Sequence, residues 1–261
     1  MAITEQYPFL ARELFDALAA GQPIAPLTDS YPDMSIDDAY QISLAFLNIR
    51  KSENGEKVVG KKIGVTSKPV QDMLGVFQPD FGFLTDAMHV QDGKVHVDCH
   101  IAPMAEAEFA FKLKAGLKGP GVTAQDVIDA TEYVQPCFEI VDSRIKDWKI
   151  KIQDTVADNA SCGVFVLGGN KIDPKSLDFA ALEVIVQKNG EEISRGVGSS
   201  VQGAPENAVA WLANTLGKYG IPFEAGEIIL SGSLVPLHPA ARGDKMTMSI
   251  AGFGSCDVEF V

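Results

Sequence analysis

A chain of 261 residues, 46% of them hydrophobic, is long enough to bury a real core without disulfides or a structural metal as staples. Its 22 basic and 35 acidic residues leave a formal charge of -13 with no acidic block, which favours solubility and argues against nucleic acid or an anionic membrane as a partner. Cys99, Cys137, Cys162 and Cys256 have no CxxC spacing and sit mainly among apolar or small residues, so reduced, buried thiols are expected rather than a disulfide framework or a zinc site.

The opening stretch "MAITEQYPFLARELFDALAAG" mixes acidic with apolar residues and has no basic start before an apolar run, so it reads as a helix rather than a secretory leader. Apolar residues in "LARELFDALAAG" recur every three to four positions and stop at Gly21, and "SIDDAYQISLAFLNIRKSENG" opens with Ser35 in an S-x-x-D cap. These patterns predict a helical cap over residues 1–57. From Val58 the texture changes to short β-rich runs: "KVVGKKIGVT", "GKVHVDCHI", "AEAEFAFKL", "CFEIVDSRI", "SCGVFVLG" and "LEVIVQKNGEEISRGVGS". The last carries Asn189-Gly190 between alternating segments, a strong signal for a tight hairpin. Helices are expected at 67–74, at 123–133 after Thr123, and at 205–219, with Pro205 in the first turn and Gly220 at the stop. The helices punctuate the strands without regular βαβ alternation. A mixed sheet or curled sandwich over 58–261, with helices packed on it, is therefore preferred to a doubly wound parallel sheet. The longest apolar run, "IILSGSLVPL" at 228–237, is broken by Gly, Ser and Pro and falls short of the roughly 20 residues of a membrane helix, so a cytoplasmic protein is expected.

Residues two apart on a strand point the same way, so Glu106 and Glu108 of "AEAEFAFKL" share one face, with Phe109 and Phe111 on the other. Spacing leaves two readings open: a wet edge strand, or an oxygen-rich metal site of the kind that suits Mg²⁺ or Mn²⁺. Glu139, a lone acid in "PCFEIVDSRI", is the leading third donor, with Asp142 as its competitor. Lys62, between Gly60 and Gly64, is either a desolvated acid/base or anion clamp or a solvated strand end, and Lys61 is expected to face solvent. Asp80 in "QPDFGFL" suits a turn cap, "DTVADNASCG" a loop that approaches a ligand, and Ser231, Gly232 and Ser233 a set of donors for a carboxylate or a tight bend. The four histidines show no ligand spacing, and Trp148 and Trp211 read as packing.

Together "VVGKKIGVTSKPVQDMLGVFQPDFGFLTDAM", "AEAEFAFKL", "CFEIVDSRIKDWKIKIQDTVADNASCG" and "LSGSLVPL" closely resemble the 2-keto-4-pentenoate hydratases of bacterial aromatic meta-cleavage pathways, nearly end to end. This family lies in the fumarylacetoacetate hydrolase superfamily. The resemblance implies an α+β fold built on a mixed β-roll with helices around it. It also implies a divalent metal, Mg²⁺ or Mn²⁺, held by Glu106, Glu108 and Glu139, and it assigns active-site roles to Lys62, Asp80 and Ser161. On that basis Lys62 and Asp80 would handle proton transfer, and Ser161 with the backbone at Gly232 and Ser233 would hold the substrate carboxylate. The implied reaction is hydration of 2-hydroxypenta-2,4-dienoate to 4-hydroxy-2-oxopentanoate by a homo-oligomer that can associate with neighbouring pathway enzymes. The alternatives are a 4-oxalocrotonate decarboxylase, a more distant acylpyruvate hydrolase, and a non-catalytic partner of a pathway complex.

Overall fold

The structure, a computed structural model, describes residues 3–261. The first helix, α1 (Tyr7–Ala20), ends where Gly21 turns left-handed at φ 62° and returns its N–H to the last-turn carbonyls. After a single turn, α2 (Leu27–Ser30), comes α3 (Ile36–Glu53). There Ser35 Oγ accepts from the Asp38 N–H while the Asp38 carboxylate accepts from the Ser35 N–H, closing the expected capping box.

Beyond the helices the order is β1 (Val58–Gly64), α4 (Lys68–Leu74), β2 (Asp80–Thr85), β3 (Lys94–Val95), β4 (Met104–Leu113), α5 (Ala124–Ala130), β5 (Thr131–Val141), α6 (Ile152–Ala157), β6 (Cys162–Leu167), β7 (Glu183–Lys188), β8 (Glu191–Val197), α7 (Pro205–Lys218), β9 (Ile228–Leu230), β10 (His238–Pro239), β11 (Lys245–Ile250) and β12 (Gly254–Phe260). Several boundaries depart from the sequence reading. "GKVHVDCHI" yields only the two residues of β3 before a 3₁₀ turn over Val97–Cys99. The helix expected to reach 133 stops at Ala130, because Thr131 and Tyr133 pair with Leu113 and Lys112 of β4. Part of the expected loop at 154–163 is helical, as α6.

One sheet runs β2-β1-β9-β4-β5-β6, with β10 added at the end of β4; a second runs β3-β12-β11-β7-β8. The β7–β8 hairpin turns on Asn189 and Gly190, both left-handed, as a tight primed turn requires. The sheets share a core in which Phe109, Phe111 and Phe138 meet Met246, Met248, Val258 and Phe260. Phe109 sits edge-on to Phe179 and Phe253, with ring centroids 5.6 and 5.3 Å away. The chain is thus an α+β protein whose β4 is a central strand with both faces buried. Among the described residues no helix is long and apolar enough to cross a membrane. Three cysteines are buried as expected, but Cys99 is exposed.

Candidate metal centre

The two-residue period of β4 buries Phe109 and Phe111 in the shared core and turns Glu106 and Glu108 to the opposite face. The antiparallel register with β5 sets Glu106 directly opposite Glu139, which brings in the third acid. Two carboxylates facing each other across a strand pair repel, and all three here are buried, with at most 4% exposure. Each offers a carboxylate oxygen within 4.8 Å of the others. The edge-strand reading is thereby removed, as is Asp142, whose carboxylate accepts from the N–H groups of Ile101 and Ala102 instead.

Burial, with the charge of Glu139 added, raises the Glu106 carboxyl to about 8. Burial and then Glu139 and Glu106 raise Glu108 well above the ordinary carboxylate range. Glu139 is also raised by burial, against the opposing pull of Lys62. Glu108 Oε1 is buried without a hydrogen-bond partner, and neither oxygen of Glu139 receives a well-directed hydrogen bond. Hard oxygen donors, mutual repulsion and orphaned lone pairs fit a divalent cation.

Lys62 enters from β1. The three-residue β9 lies between β1 and β4, parallel to one and antiparallel to the other, and stops at Leu230. Past that point the chain leaves β1 but stays hydrogen-bonded to β4 through Ser231 and Leu234. Lys62 reaches toward the acids, only 1% exposed, with Nζ 3.1 Å from Glu139 Oε1. Burial acts against its charge, but Glu139 and Asp80 outweigh it and keep Lys62 an ammonium ion. Lys62 is thus desolvated and not a solvated strand end. Lys61 contradicts its expected exposure: it is buried and ion-paired with Glu227, because the residues leading into β9 cover that face of β1.

Asp80 begins β2 and is buried rather than capping an exposed turn. Its Oδ2 accepts from Thr155 Oγ1 at 3.1 Å, and Thr155 lies 3.3 Å from Ser161 Oγ, so the two residues are joined through one hydroxyl. Burial raises the Asp80 carboxyl, with Lys62 opposing. A side chain at Gly64 would put its Cβ 2.2 Å from Asp80 Oδ1, so only glycine allows this approach. Gly232 is left-handed at φ 97°, and a Cβ there would lie 2.1 Å from Thr66 Oγ1. Its N–H donates to Glu108 Oε2 at 2.8 Å, while the Ser233 hydroxyl donates to the Val235 carbonyl. Gly232 thus touches the acid cluster directly, while the Ser233 hydroxyl is taken up by the backbone two residues on.

The residues that sequence reasoning missed are those that hold the 158–161 loop. Asn159, Ala160 and Ser161 are all left-handed at φ 52°, a strained run for residues with side chains. Arg144, fully buried, pairs with Asp158 and donates to the Asp142 and Cys162 carbonyls, and the Asn159 side chain clamps both backbone groups of Phe83. Burial raises Asp158 to about 6, with Arg144 opposing. The available signal was a single arginine in "VDSRI", directly after an apolar strand. Trp148 packs against a small apolar cluster, as read, and also lines the small pocket above Lys62, Asp80, Glu106 and Ser161, with Val65, Val70 and Leu74 nearby.

The fumarylacetoacetate (FAA) hydrolase C-terminal family matches residues 51–261. The chain is 61% identical over 252 residues to a 2-hydroxyhexa-2,4-dienoate hydratase of Comamonas testosteroni, covering 95% of each chain. It is 56% identical over 214 residues to a 2-hydroxypent-2,4-dienoate hydratase of Pseudomonas putida, covering 81% of this chain and 96% of that one. Among solved structures, a 4-oxalocrotonate decarboxylase from Pseudomonas putida G7, complexed with magnesium and adipate, superposes with a TM-score of 0.93 at 37% identity, covering 99% of this chain and 98% of that one. Family match and near-complete relatives agree with the buried acid cluster, and the chain belongs to the 2-keto-4-pentenoate hydratases, hydro-lyases of the fumarylacetoacetate hydrolase superfamily.

Proposed function

We propose that the protein hydrates 2-hydroxypenta-2,4-dienoate or a close homologue to the 4-hydroxy-2-oxo acid, with a divalent metal, Mg²⁺ or Mn²⁺, held by Glu106, Glu108 and Glu139. The observation that carries this reading is the trio of buried, mutually repelling carboxylates with an orphaned oxygen on Glu108. A cation bound there supplies Lewis-acid stabilisation of the negative charge that develops on the substrate's 2-oxygen. The residues around it divide the remaining work. Lys62, an ammonium ion beside Glu139, faces the developing charge as a fixed positive group. Asp80, its proton affinity raised by burial, holds and passes a proton along the path through Thr155 to Ser161. The overall change moves the 2-hydroxyl proton to C5, giving the 2-oxo-3-enoate, and then adds water across C3 and C4 with the hydroxyl at C4. Gly232 fixes Glu108, and with Ser233 it forms the rim against which the substrate carboxylate rests.

The similarity to a decarboxylase supports a second reading, release of CO₂ from 4-oxalocrotonate, but the relatives at 61% and 56% identity are hydratases. The same proposal extends to a helical cap at 1–57 on a catalytic region at 58–261, to a β-roll as the form of its sheets, and to a homo-oligomer working beside neighbouring enzymes of the meta-cleavage route. The test is an ultraviolet assay of dienoate loss. Glu106→Gln should abolish metal-dependent turnover while the circular dichroism spectrum is kept. Full activity in that variant, or after exhaustive chelation, would overturn the metal assignment; CO₂ release from oxalocrotonate faster than hydration would favour the second reading.

A further inference from the structure

The pocket above the acid cluster is chemically two-sided. One side carries Lys62, Asp80, Glu106, Thr155 and Ser161; the other is formed by Val70, Leu74, Trp148 and Leu237. Val70 and Leu237 belong to a small apolar cluster, with Leu74 and Trp148 packed against it. The indole N–H of Trp148 is already given to the Ala102 carbonyl at 3.1 Å, so the ring offers the pocket no free donor. Among the described residues that line the pocket, Lys62 is the one cation, and it lies against Glu139. The nearest lysine on α4, Lys68, is exposed and paired with Asp72.

We propose that Val70, Leu74, Trp148 and Leu237 form the specificity wall of the site: they take the far end of the substrate, accept hydrogen or a short alkyl group there, and reject a carboxylate. This rests on the hydratase reading, in which the acids and the Gly232 rim fix the carboxylate end of the chain. The other end then runs toward the apolar side. The cavity left between the two sides is about 20 Å³, room for roughly one water and less than the substrate needs, so the far end must push the wall side chains aside to enter and leaves little space for water beside it. A methyl group gains from that contact, whereas a carboxylate loses its water and finds no cation in exchange. The wall thus separates the alkyl-terminated dienoates from the dicarboxylates that the decarboxylase chemistry would require.

The test is kcat/KM of the metal-loaded protein on three substrates that differ only at the far end: 2-hydroxypenta-2,4-dienoate, its methyl homologue and its terminal carboxylate homologue. The methyl homologue should be favoured over the parent by about three- to tenfold, and the carboxylate homologue disfavoured by about a hundredfold or more. Leu74→Ala should erase the methyl preference, read as the ratio of kcat/KM on the methyl homologue to kcat/KM on the parent falling to about one. Leu74→Arg should raise kcat/KM on the carboxylate homologue by about tenfold or more and lower it on the methyl one. Because Leu74 is half-buried on a short surface helix, a folding failure is checked by thermal melting, and Leu237→Lys provides an independent second position. Equal turnover of all three substrates by the parent protein, or selectivity unchanged in all three variants, overturns the wall. Absence of hydration with every substrate overturns the hydratase reading itself, and the wall with it.

Discussion

Lys61 and Lys62 are neighbours with opposite duties. Strand alternation sends one to Glu227 and the other to Glu139, and both end up buried. Removing Lys61 takes the ion-pair partner from the buried Glu227 carboxylate, so Lys61→Ala should cost about 3–5 kcal/mol of stability, read as a lower denaturation midpoint with kcat of the folded fraction little changed. Lys62→Ala should do the reverse, cutting turnover while metal affinity holds, since a bound cation replaces the charge that Glu139 loses. If Lys62→Ala instead weakens metal binding in titration calorimetry more than it slows turnover, the lysine is a support of the acid cluster. The sequence showed that Glu106 and Glu108 share a face, because a two-residue period is local. It did not show that Lys61 is covered, because the cover is supplied from some 166 positions further along the chain.

At the level of elements, β9 lies between β1 and β4, and side chains of β1, β4 and β5 converge on one site near its end, with Lys62 still paired to Leu230. Gly64 stands at the edge of that site, and Gly64→Ala should push Asp80 out of place. A displacement near 1 Å in a catalytic group costs on the order of a hundredfold in kcat, so activity should fall by about that factor while the melting temperature barely moves. A variant with unchanged kcat would remove Asp80 from the proton path. Helices with strong caps were legible from Ser35, Thr123 and Gly21, since capping is written in neighbouring residues. The pairing that cut α5 at Ala130 and carried β5 back to Thr131 was not, because register across β4 and β5 is decided by packing of both faces at once. For the same reason Glu139 as the partner of Glu106 rested on family resemblance rather than on spacing.

For the whole molecule, the acid cluster ties stability to pH and to metal together. Glu106 has a folded value near 8 against an ordinary value of 4.5, so between these limits the metal-free native state binds more protons than the unfolded chain. Its contribution to stability is therefore present at low pH and is lost as pH rises through about 8. A divalent cation displaces those protons and reverses the trend. Calorimetry should show Mg²⁺ affinity increasing from pH 6 to 8.5 with protons released, and the rise in melting temperature on adding metal should be larger at pH 8.5 than at pH 6. A metal-induced shift independent of pH would mean that the carboxylates are already ionised without the ion.

The acids and Lys62 sit on strands β1, β4 and β5, locked on their reverse side by the shared phenylalanine core. Val70, Leu74, Trp148 and Leu237 sit on a short helix and on connecting segments. On the proposed assignment, the metal-binding acids and the residues that set substrate range lie in separable parts of the chain. A lineage can then drift through new side-chain substituents by changing its connections, one residue at a time, while the strands that carry the acids and Lys62 are inherited unaltered.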